Sequence, residues 1–146
     1  MNGHDEAFAE LLADSYAHLV GRPLVPSGVQ DAAAWLYDAP FGLLAHDTSP
    51  DPLFVYANLS AQRHFGYAWD EFVGLPSRLS AGEEAREPRQ VLLDGVRSKG
   101  YADGYRGPRV TRTGRQFWIE DVTVWNLARA DGVRVGQAAL IGGWSD

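Results

Sequence analysis

The sequence contains no cysteine among its 146 residues. This absence excludes disulfides, thiol catalysis, zinc–thiolate sites, iron–sulfur clusters and cysteinyl flavin adducts. The four histidines are widely spaced and lack the H-x-x-x-H or H-x-H spacing typical of metal sites. We therefore expect no bound metal.

Long apolar runs and an excess of positive charge are lacking as well. No uncharged stretch is long and apolar enough to span a bilayer, and His4-Asp5-Glu6 interrupts the residue order of a signal peptide. The formal net charge of −6 argues against general nucleic-acid binding. We therefore expect a cytoplasmic protein that does not contact membrane or nucleic acid directly.

Apolar residues are present in the proportion of a globular protein, 45% of the chain, which suffices for one core. Their period predicts a helix that is capped by Asp5 and ends at Gly21. A second predicted helix begins at Ser27, which has capping-box spacing to Gln30, and ends at Pro40. Residues 1–39 are thus a predicted two-helix arm whose apolar stripe must pack against another surface.

Residues 40–146 have a different pattern, in which strands precede and follow a group of helices. A capping box at Ser80 and Glu83 is expected to open the longer helix, and Asn58 is expected to cap a short one. The predicted elements are a hairpin at 41–46 and 53–57, short helices at 59–65 and 69–73, a helix at 89–99, and a meander of strands at 101–111, 115–127 and 134–144. This order predicts the α+β class.

The order of these elements resembles that of a PAS domain. The segment 56–67 resembles the PAS segment in which a strand ends in Asn, enters a helix and stops at Gly-Tyr, and 69–74 resembles the segment that follows it. Asp131-Gly132 sits where PAS domains turn between their last two strands.

More narrowly, the chain resembles the MEKHLA family, a PAS-like group. That family occurs as stand-alone bacterial proteins and at the C-terminus of certain plant homeodomain–leucine-zipper transcription factors. The motifs that carry the resemblance are Pro40-Phe41, His46-Asp47, Phe54-Val55-Tyr56-Ala57-Asn58, Leu75-Pro76-Ser77-Arg78-Leu79-Ser80-Ala81, Gly100-Tyr101, Val124-Trp125-Asn126-Leu127 and Gly136-Gln137-Ala138-Ala139. The resemblance implies a five-stranded antiparallel sheet, with helices over one face that enclose a small pocket.

This chain lacks residues that commonly bind the cofactors of PAS domains. Haem sensors of the PAS group commonly use a histidine of the longer helix, and residues 83–99 contain none. The polar side chain that would read a flavin after Phe117-Trp118 is replaced by Ile119. We therefore expect a protein without a cofactor.

The strand at 115–127 is expected to present alternate side chains to the pocket. By analogy with PAS domains, the pocket face would carry Phe117, Ile119, Asp121, Thr123 and Trp125, and the arm would cover the other face. A carboxylate in an apolar pocket must be paired, protonated or waiting for a ligand. Asp121 is therefore interpreted either as half of an ion pair with Arg78 or Arg109, or as a ligand-binding or acid/base group.

The other candidate ligand-binding residues are polar or aromatic. Arg78 either grips an anionic ligand or ties its loop to a carboxylate, and Tyr105 and Trp125 either stack on a flat ligand or belong to the core. The candidate ligand-binding residues outside the strand at 115–127 are His46, Tyr56, Ser77, Arg78, Tyr105, Arg109 and Gln137.

Three functions stay open at this point. The first is a module that binds or senses a small organic molecule and acts through a partner or self-association. The second is a small cofactor-free enzyme in which Asp121, His46 and Arg78 converge for acid/base chemistry. The third is a structural homodimerisation module with a filled core.

Overall fold

The computed structural model describes residues 2–84 and 86–146. Its helices are α1 Glu6–Val20, α2 Ala32–Asp38, α3 Leu59–Phe65, α4 Trp69–Phe72 and α5 Arg86–Lys99, with a 3₁₀ helix at Ser77–Ser80. Its strands are β1 Gly42–His46, β2 Phe54–Ala57, β3 Tyr101–Val110, β4 Gln116–Ala128 and β5 Arg134–Ser145. Each helix in the described residues is too short or too polar to cross a bilayer.

The strands form one sheet in the order β2-β1-β5-β4-β3, and every neighbouring pair is antiparallel. The predicted α+β class and five-stranded antiparallel sheet are therefore confirmed. The hairpin β1–β2 and the meander β3–β4–β5 meet because β1 pairs with the last strand of the meander. Strand β3 lies at one edge, directly after α5.

The predicted helix ends follow from ordinary capping. Asp5 accepts a hydrogen bond from the Phe8 amide at 2.8 Å, and Asn58 accepts one from the Ala61 amide at 3.1 Å. Gly21 and Gly66 end α1 and α3 in the left-handed region, which favours glycine.

Two predicted capping boxes are wrong. Asp31, not Ser27, caps α2, because Gly28 has a φ of +90° and interrupts the helical path between Ser27 and Gln30. Ser80 ends the 3₁₀ helix, where its hydroxyl donates to the Ser77 carbonyl at 2.8 Å, and residues 82–84 that follow are not helical.

Helices α3, α4 and α5 cover one face of the sheet, here called the inner face. Its buried core consists of Leu44, Phe54, Ala57, Ala61, Phe65, Phe72, Val96, Tyr105, Phe117, Ile119, Val122, Val124 and Ile141. The Phe65 ring lies 5.5 Å from that of Phe72 and 5.1 Å from that of Phe117, in edge-to-face contacts that favour aromatic pairs. Aromatic side chains therefore fill the space between the helices and the inner face.

Helices α1 and α2 cover the opposite face, here called the outer face. Its buried core consists of Ala9, Leu12, Tyr16, Leu24, Ala33, Leu36, Leu43, Ala45, Tyr56, Trp125, Leu127 and Ala138. Tyr16 packs edge-on against Trp125 at 4.9 Å between ring centroids, and Phe8 stacks on Tyr56 at 5.4 Å. The apolar stripe of the arm is thus buried against the sheet.

The predicted alternation of β4 is wrong beyond Ile119. Asp121 has a φ of +51° and is exposed, so the strand gains one outward residue at that point. Val122 and Val124 consequently join the inner core, whereas Trp125 faces the arm. One extra residue in the alternation reverses every side chain that follows it.

Strand β5 accommodates this irregularity without losing register with β4. Glu120 pairs with Gly143 and Val122 with Ile141, so Asp121 lies opposite Gly142. A Cβ atom at Gly142 would come within 2.8 Å of Asp121 Oδ2. Glycine at this position therefore leaves room for the turned-out Asp121.

Candidate functional site

The predicted site residues separate into three places. Tyr105, Phe117 and Ile119 are buried on the inner face, and Arg109 lies beside Tyr105. Tyr56 and Trp125 belong to the outer core under the arm. The remainder lie at the ends of the sheet or outside its cores: His46, Ser77, Arg78, Asp121 and Gln137, while Thr123 is buried opposite Leu140 of the outer-face cluster.

A polar cluster lies where the segment after the 3₁₀ helix crosses β3. Ala81 forms a bridge with Arg109, and the Gly82 amide donates to the Pro108 carbonyl at 3.2 Å. A Cβ atom at Gly82 would lie 2.9 Å from the Cβ of Pro108, so this crossing requires glycine. The crossing places Glu84 beside Tyr105 of β3.

Glu84 is brought onto Tyr105 by that crossing. The Tyr105 hydroxyl donates to Glu84 Oε2 at 2.6 Å, and the Glu84 side chain is only 7% exposed. Arg89 Nη1 lies 4.0 Å from Glu84, and the Arg109 guanidinium lies 5.7 Å from the Tyr105 ring centroid. Burial raises the pKa of the Tyr105 hydroxyl, which the charge of Arg109 partly opposes, so Tyr105 stays a neutral donor.

A cleft of about 630 Å³ opens between α5 and β3, here called the α5–β3 cleft. Tyr105 forms part of its wall and so joins it to the polar cluster. Its lining residues are Glu87, Pro88, Val91, Leu92, Ala102, Asp103, Gly104, Tyr105, Arg106 and Trp118. This volume lies in the range of small-molecule sites, roughly 300–1,000 Å³.

Trp118 and Arg106 form one end of the α5–β3 cleft. The Arg106 guanidinium lies 4.1 Å from the Trp118 ring centroid and donates to Glu120 Oε1 at 2.8 Å. The Arg106 hydrogen bond, aided by one from Ser145, lowers the pKa of Glu120. The ion pair holds the guanidinium over the indole as a flat, fixed surface.

Asp121 does not line either the inner core or the α5–β3 cleft, contrary to the prediction. Its φ of +51° turns it outward, and its side chain lies against Gly142. Arg78 pairs instead with Asp51 at 3.2 Å, so it ties its loop to a carboxylate. An exposed pair of this kind contributes little to stability.

The three groups of the enzyme hypothesis do not converge. His46 pairs with Gln137 of β5, whereas the residues on either side of Asp121 pair with Gly143 and Ile141. Four or more residues of β5 separate the two positions, roughly 13 Å or more along the strand. His46 Nδ1 instead lies 2.9 Å from the Asp47 carbonyl.

Asp47 organises the turn that follows β1. Its Oδ1 accepts hydrogen bonds from the Ser49 hydroxyl at 2.6 Å and from the Leu53 amide at 2.9 Å, and these bonds lower the pKa of Asp47. Ser77 joins the same region, because its amide donates to the Pro52 carbonyl at 2.8 Å. This end of the molecule is therefore a hydrogen-bonded turn.

Tyr56 and Trp125 are outer-core residues with a polar atom to satisfy. Tyr56 Oη and Trp125 Nε1 are buried and have no hydrogen-bond partner among the described residues. Burial raises the pKa of the Tyr56 hydroxyl far above its ordinary value, with smaller effects from Tyr37 and Asp38. Gln137 lies further along the sheet, with Nε2 3.5 Å from Asn126 Oδ1.

Sequence reasoning missed Glu84 and Trp118. Nothing local marks Glu84, because its burial depends on the bridge between Ala81 and Arg109, which are distant in sequence. The predicted alternation places Trp118 on the face opposite Phe117, which the arm was expected to cover, but Trp118 is not part of the core beneath the arm. The opposite charges of Arg106 and Glu120, which meet across the neighbouring strands β3 and β4, were the available signal for this end of the cleft.

Solved structures of PAS and light-oxygen-voltage proteins share this fold. A PAS domain from Colwellia psychrerythraea aligns with a TM-score of 0.63 and 15% identity over 75% of this chain and 90% of its own. An RNA-binding light-oxygen-voltage receptor aligns with a TM-score of 0.61 and 22% identity over 81% of this chain and 34% of its own. A light-oxygen-voltage domain studied with a flavin analogue aligns with a TM-score of 0.60 and 21% identity over 78% of this chain and 84% of its own.

A flavin does not suit the inner face of this chain. Phe65 contacts both Phe72 and Phe117, so rings occupy the space beside the sheet. Ile119, 2% exposed, offers no hydrogen-bonding side chain there. The described residues also contain no group of three or more His, Asp or Glu side chains arranged to hold a metal ion.

The pattern of the MEKHLA domain matches residues 6–146. No curated protein matches the sequence. The matched range includes the arm as well as the sheet and its inner helices, in agreement with the burial of α1 and α2 on the outer face. The chain therefore belongs to the MEKHLA domain family.

Proposed function

We propose that this chain is a PAS-like sensing module that binds a small organic ligand in the α5–β3 cleft and acts through a partner or a second copy. The observation that carries the proposal is the position of Tyr105. It lines an open cleft of about 630 Å³ and donates a hydrogen bond to a buried carboxylate, Glu84. Small-molecule sites typically combine an apolar cleft with a few fixed polar groups.

The walls of the α5–β3 cleft favour a flat, largely apolar ligand. Val91, Leu92 and Ala102 supply aliphatic surface, and Val91 is 68% exposed, so ligand binding would remove apolar area from water. The stacked pair of Trp118 and Arg106 supplies a planar surface at one end. The acidic side chains at the rim stay in contact with solvent.

The hydrogen bond between Tyr105 and Glu84 is the proposed route from ligand to output. It connects the cleft to the segment between the 3₁₀ helix and α5, which the bridge from Ala81 to Arg109 holds against β3. A ligand that contacts Tyr105 changes the free energy of this contact, and a signal requires such a difference between states. The affected surface includes the exposed side of α5.

A structural homodimerisation module is the second candidate. The observation that favours it is the packing of the inner face, where Phe54, Phe65 and Phe72 lie in edge-to-face contact. A filled core needs no ligand for stability. The enzyme hypothesis has no corresponding support, because Asp121 and His46 lie beside different parts of β5 and are far apart.

Native mass spectrometry of protein purified from its native host tests the proposal. Val91→Arg introduces a charge into the cleft, and Leu93→Arg, on the same helix and 42% exposed, is the matched control outside the lining. We expect a small molecule that is bound to the wild type and to Leu93→Arg and is missing from Val91→Arg. Ligand-free dimers of all three proteins would instead favour the structural module.

A further inference from the structure

A second cleft, of about 760 Å³, lies between α1 and the turn that joins β4 to β5. It is here called the arm cleft, and it shares no lining residue with the α5–β3 cleft. Glu10, Asp14 and His18 line it from α1, and Arg129 and Arg134 line it from the opposite wall. The two walls therefore carry opposite charge.

The α1 wall presents acidic groups without cationic partners. Glu10 and Asp14 are exposed, four residues apart and hence neighbours on one side of the helix. Like charges at this spacing repel each other. Among residues 2–84 and 86–146, neither carboxylate forms an ion pair. A cation between them would relieve the repulsion.

The opposite wall presents a guanidinium whose charge is not cancelled. Arg134 Nε donates to Asn126 Oδ1 at 3.0 Å, so a neutral amide fixes its position. Arg129, by contrast, lies 3.5 Å from the Asp131 carboxylate. Arg134 thus keeps its terminal nitrogens for an anion, and guanidinium groups bind carboxylates through paired hydrogen bonds.

The floor between the walls is apolar and firmly connected. The Ala128 amide donates to Ser15 Oγ at 3.3 Å, which links the sheet to α1. Leu11 and Leu19 line the cleft, and Leu19 packs so closely on Gly100 that a Cβ there would lie 2.7 Å from Leu19 Cδ2. Both contacts join α1 to the rest of the molecule beneath the cleft.

We propose that the arm cleft binds a zwitterion, namely a short peptide with free termini or an amino acid. Its amino group lies at Glu10 and Asp14, its carboxylate at Arg134, and its apolar part on Leu11 and Leu19. The walls do not neutralise each other, because no ion pair joins them within the described residues. A molecule with both charges completes what each wall lacks.

The test measures binding of trialanine, its C-terminal amide, its N-acetyl derivative and free alanine by NMR titration of the full chain. We expect trialanine to bind, and removal of either terminal charge to weaken binding about tenfold or more, as for loss of a charge-assisted hydrogen bond. Alanine binding as tightly as trialanine identifies the amino acid as the ligand. Equal binding of the charged and blocked peptides, or binding of none of the four probes, overturns the proposal.

Variants assign the charges to the walls. Arg134→Gln is expected to remove the preference for the free carboxylate, and the double variant Glu10→Gln, Asp14→Asn the preference for the free amino group. Arg63→Gln and Glu6→Gln, exposed and outside the lining, are the controls. Unchanged preferences in folded variants contradict the assignment. If a variant unfolds, the comparison of blocked and free peptides on the wild type still tests whether the cleft binds a zwitterion.

Discussion

The two faces of the sheet are both buried, but by different means. The inner face is covered by helices that lie between β2 and β3 in sequence, and aromatic rings fill the space. The outer face is covered by the arm, which precedes the sheet in sequence and packs on Trp125, Leu127 and Tyr56. Strand β4 contributes to both cores, and its irregular Asp121 determines that Val122 and Val124 face the inner core while Trp125 and Leu127 face the arm.

Because both cores are buried, they are expected to provide stability, whereas ligand access is expected at the edge of the inner face. The outer core is covered by α1 and α2, and the inner core is packed with aromatic rings. The α5–β3 cleft lies at the edge of the inner face, beside the edge strand. Binding in the α5–β3 cleft therefore involves α5 and β3, while the apolar stripe of the arm is expected to stabilise the outer core.

The largest expected effect follows from removing the arm, residues 1–38. This deletion exposes Trp125, Leu127 and Leu43, each at most 1% exposed in the intact chain. Burial of such a side chain contributes about 1.5–3 kcal/mol, against roughly 5–15 kcal/mol for a whole domain. We expect aggregation or loss of most of the stability in size-exclusion chromatography and thermal melts. A monodisperse product that melts at the wild-type temperature would show that the arm is dispensable.

Asn58 links both faces and is expected to have the next largest effect. It is fully buried, its Oδ1 accepts from the Leu43 and Ala61 amides, and its Nδ2 donates to the Leu36 and Phe41 carbonyls. Asn58→Ala leaves these buried groups without a partner and should cost about 3 kcal/mol or more.

The matched control for Asn58 is Asp31→Ala, which removes the exposed cap of α2. A lost cap of this kind costs about 0.5–2 kcal/mol. Urea denaturation of both variants measures the difference. Equal losses would mean that Asn58 acts only as a helix cap and does not join the two faces.

Asp121 tests the irregularity in β4 with a smaller expected effect. Asp121→Val places a branched side chain at a φ of +51° and should cost about 1–2 kcal/mol, whereas Asp121→Gly should change the stability by about 0.5 kcal/mol or less. Neither variant should alter ligand occupancy, because Asp121 lies outside the cleft. Loss of a bound ligand in Asp121→Gly would restore the original interpretation of this residue as a ligand-binding group.

The order and type of the elements followed from the sequence because their signals are local. Asp5, Asn58, Gly21 and Gly66 act through neighbours in the same helix, and the strands of the meander are separated by short turns with glycine. The PAS-like fold and the MEKHLA family were likewise evident from short motifs in a fixed order. Signals of this kind need no knowledge of tertiary contacts.

The site was only partly predictable, because it depends on contacts between distant residues. Tyr105 and Arg109 were expected at a ligand site and do lie beside the α5–β3 cleft or its polar cluster. Asp121 was misplaced because a single residue at positive φ inverts the alternation of side chains that follows. Aspartate tolerates this conformation, so the sequence has no glycine there to indicate it. The ligand-binding function of Tyr105 and Arg109 stays a prediction.

Hydrogen–deuterium exchange of the protein as purified, compared with the same protein after its ligand is removed by unfolding and refolding, tests the central claim most directly. The account predicts that ligand removal speeds exchange in α5 and in the edge strand β3, and leaves α1, α2 and the β1–β2 hairpin unchanged. Identical exchange throughout, or a change confined to the outer core beneath the arm, would contradict the assignment of ligand binding to the α5–β3 cleft.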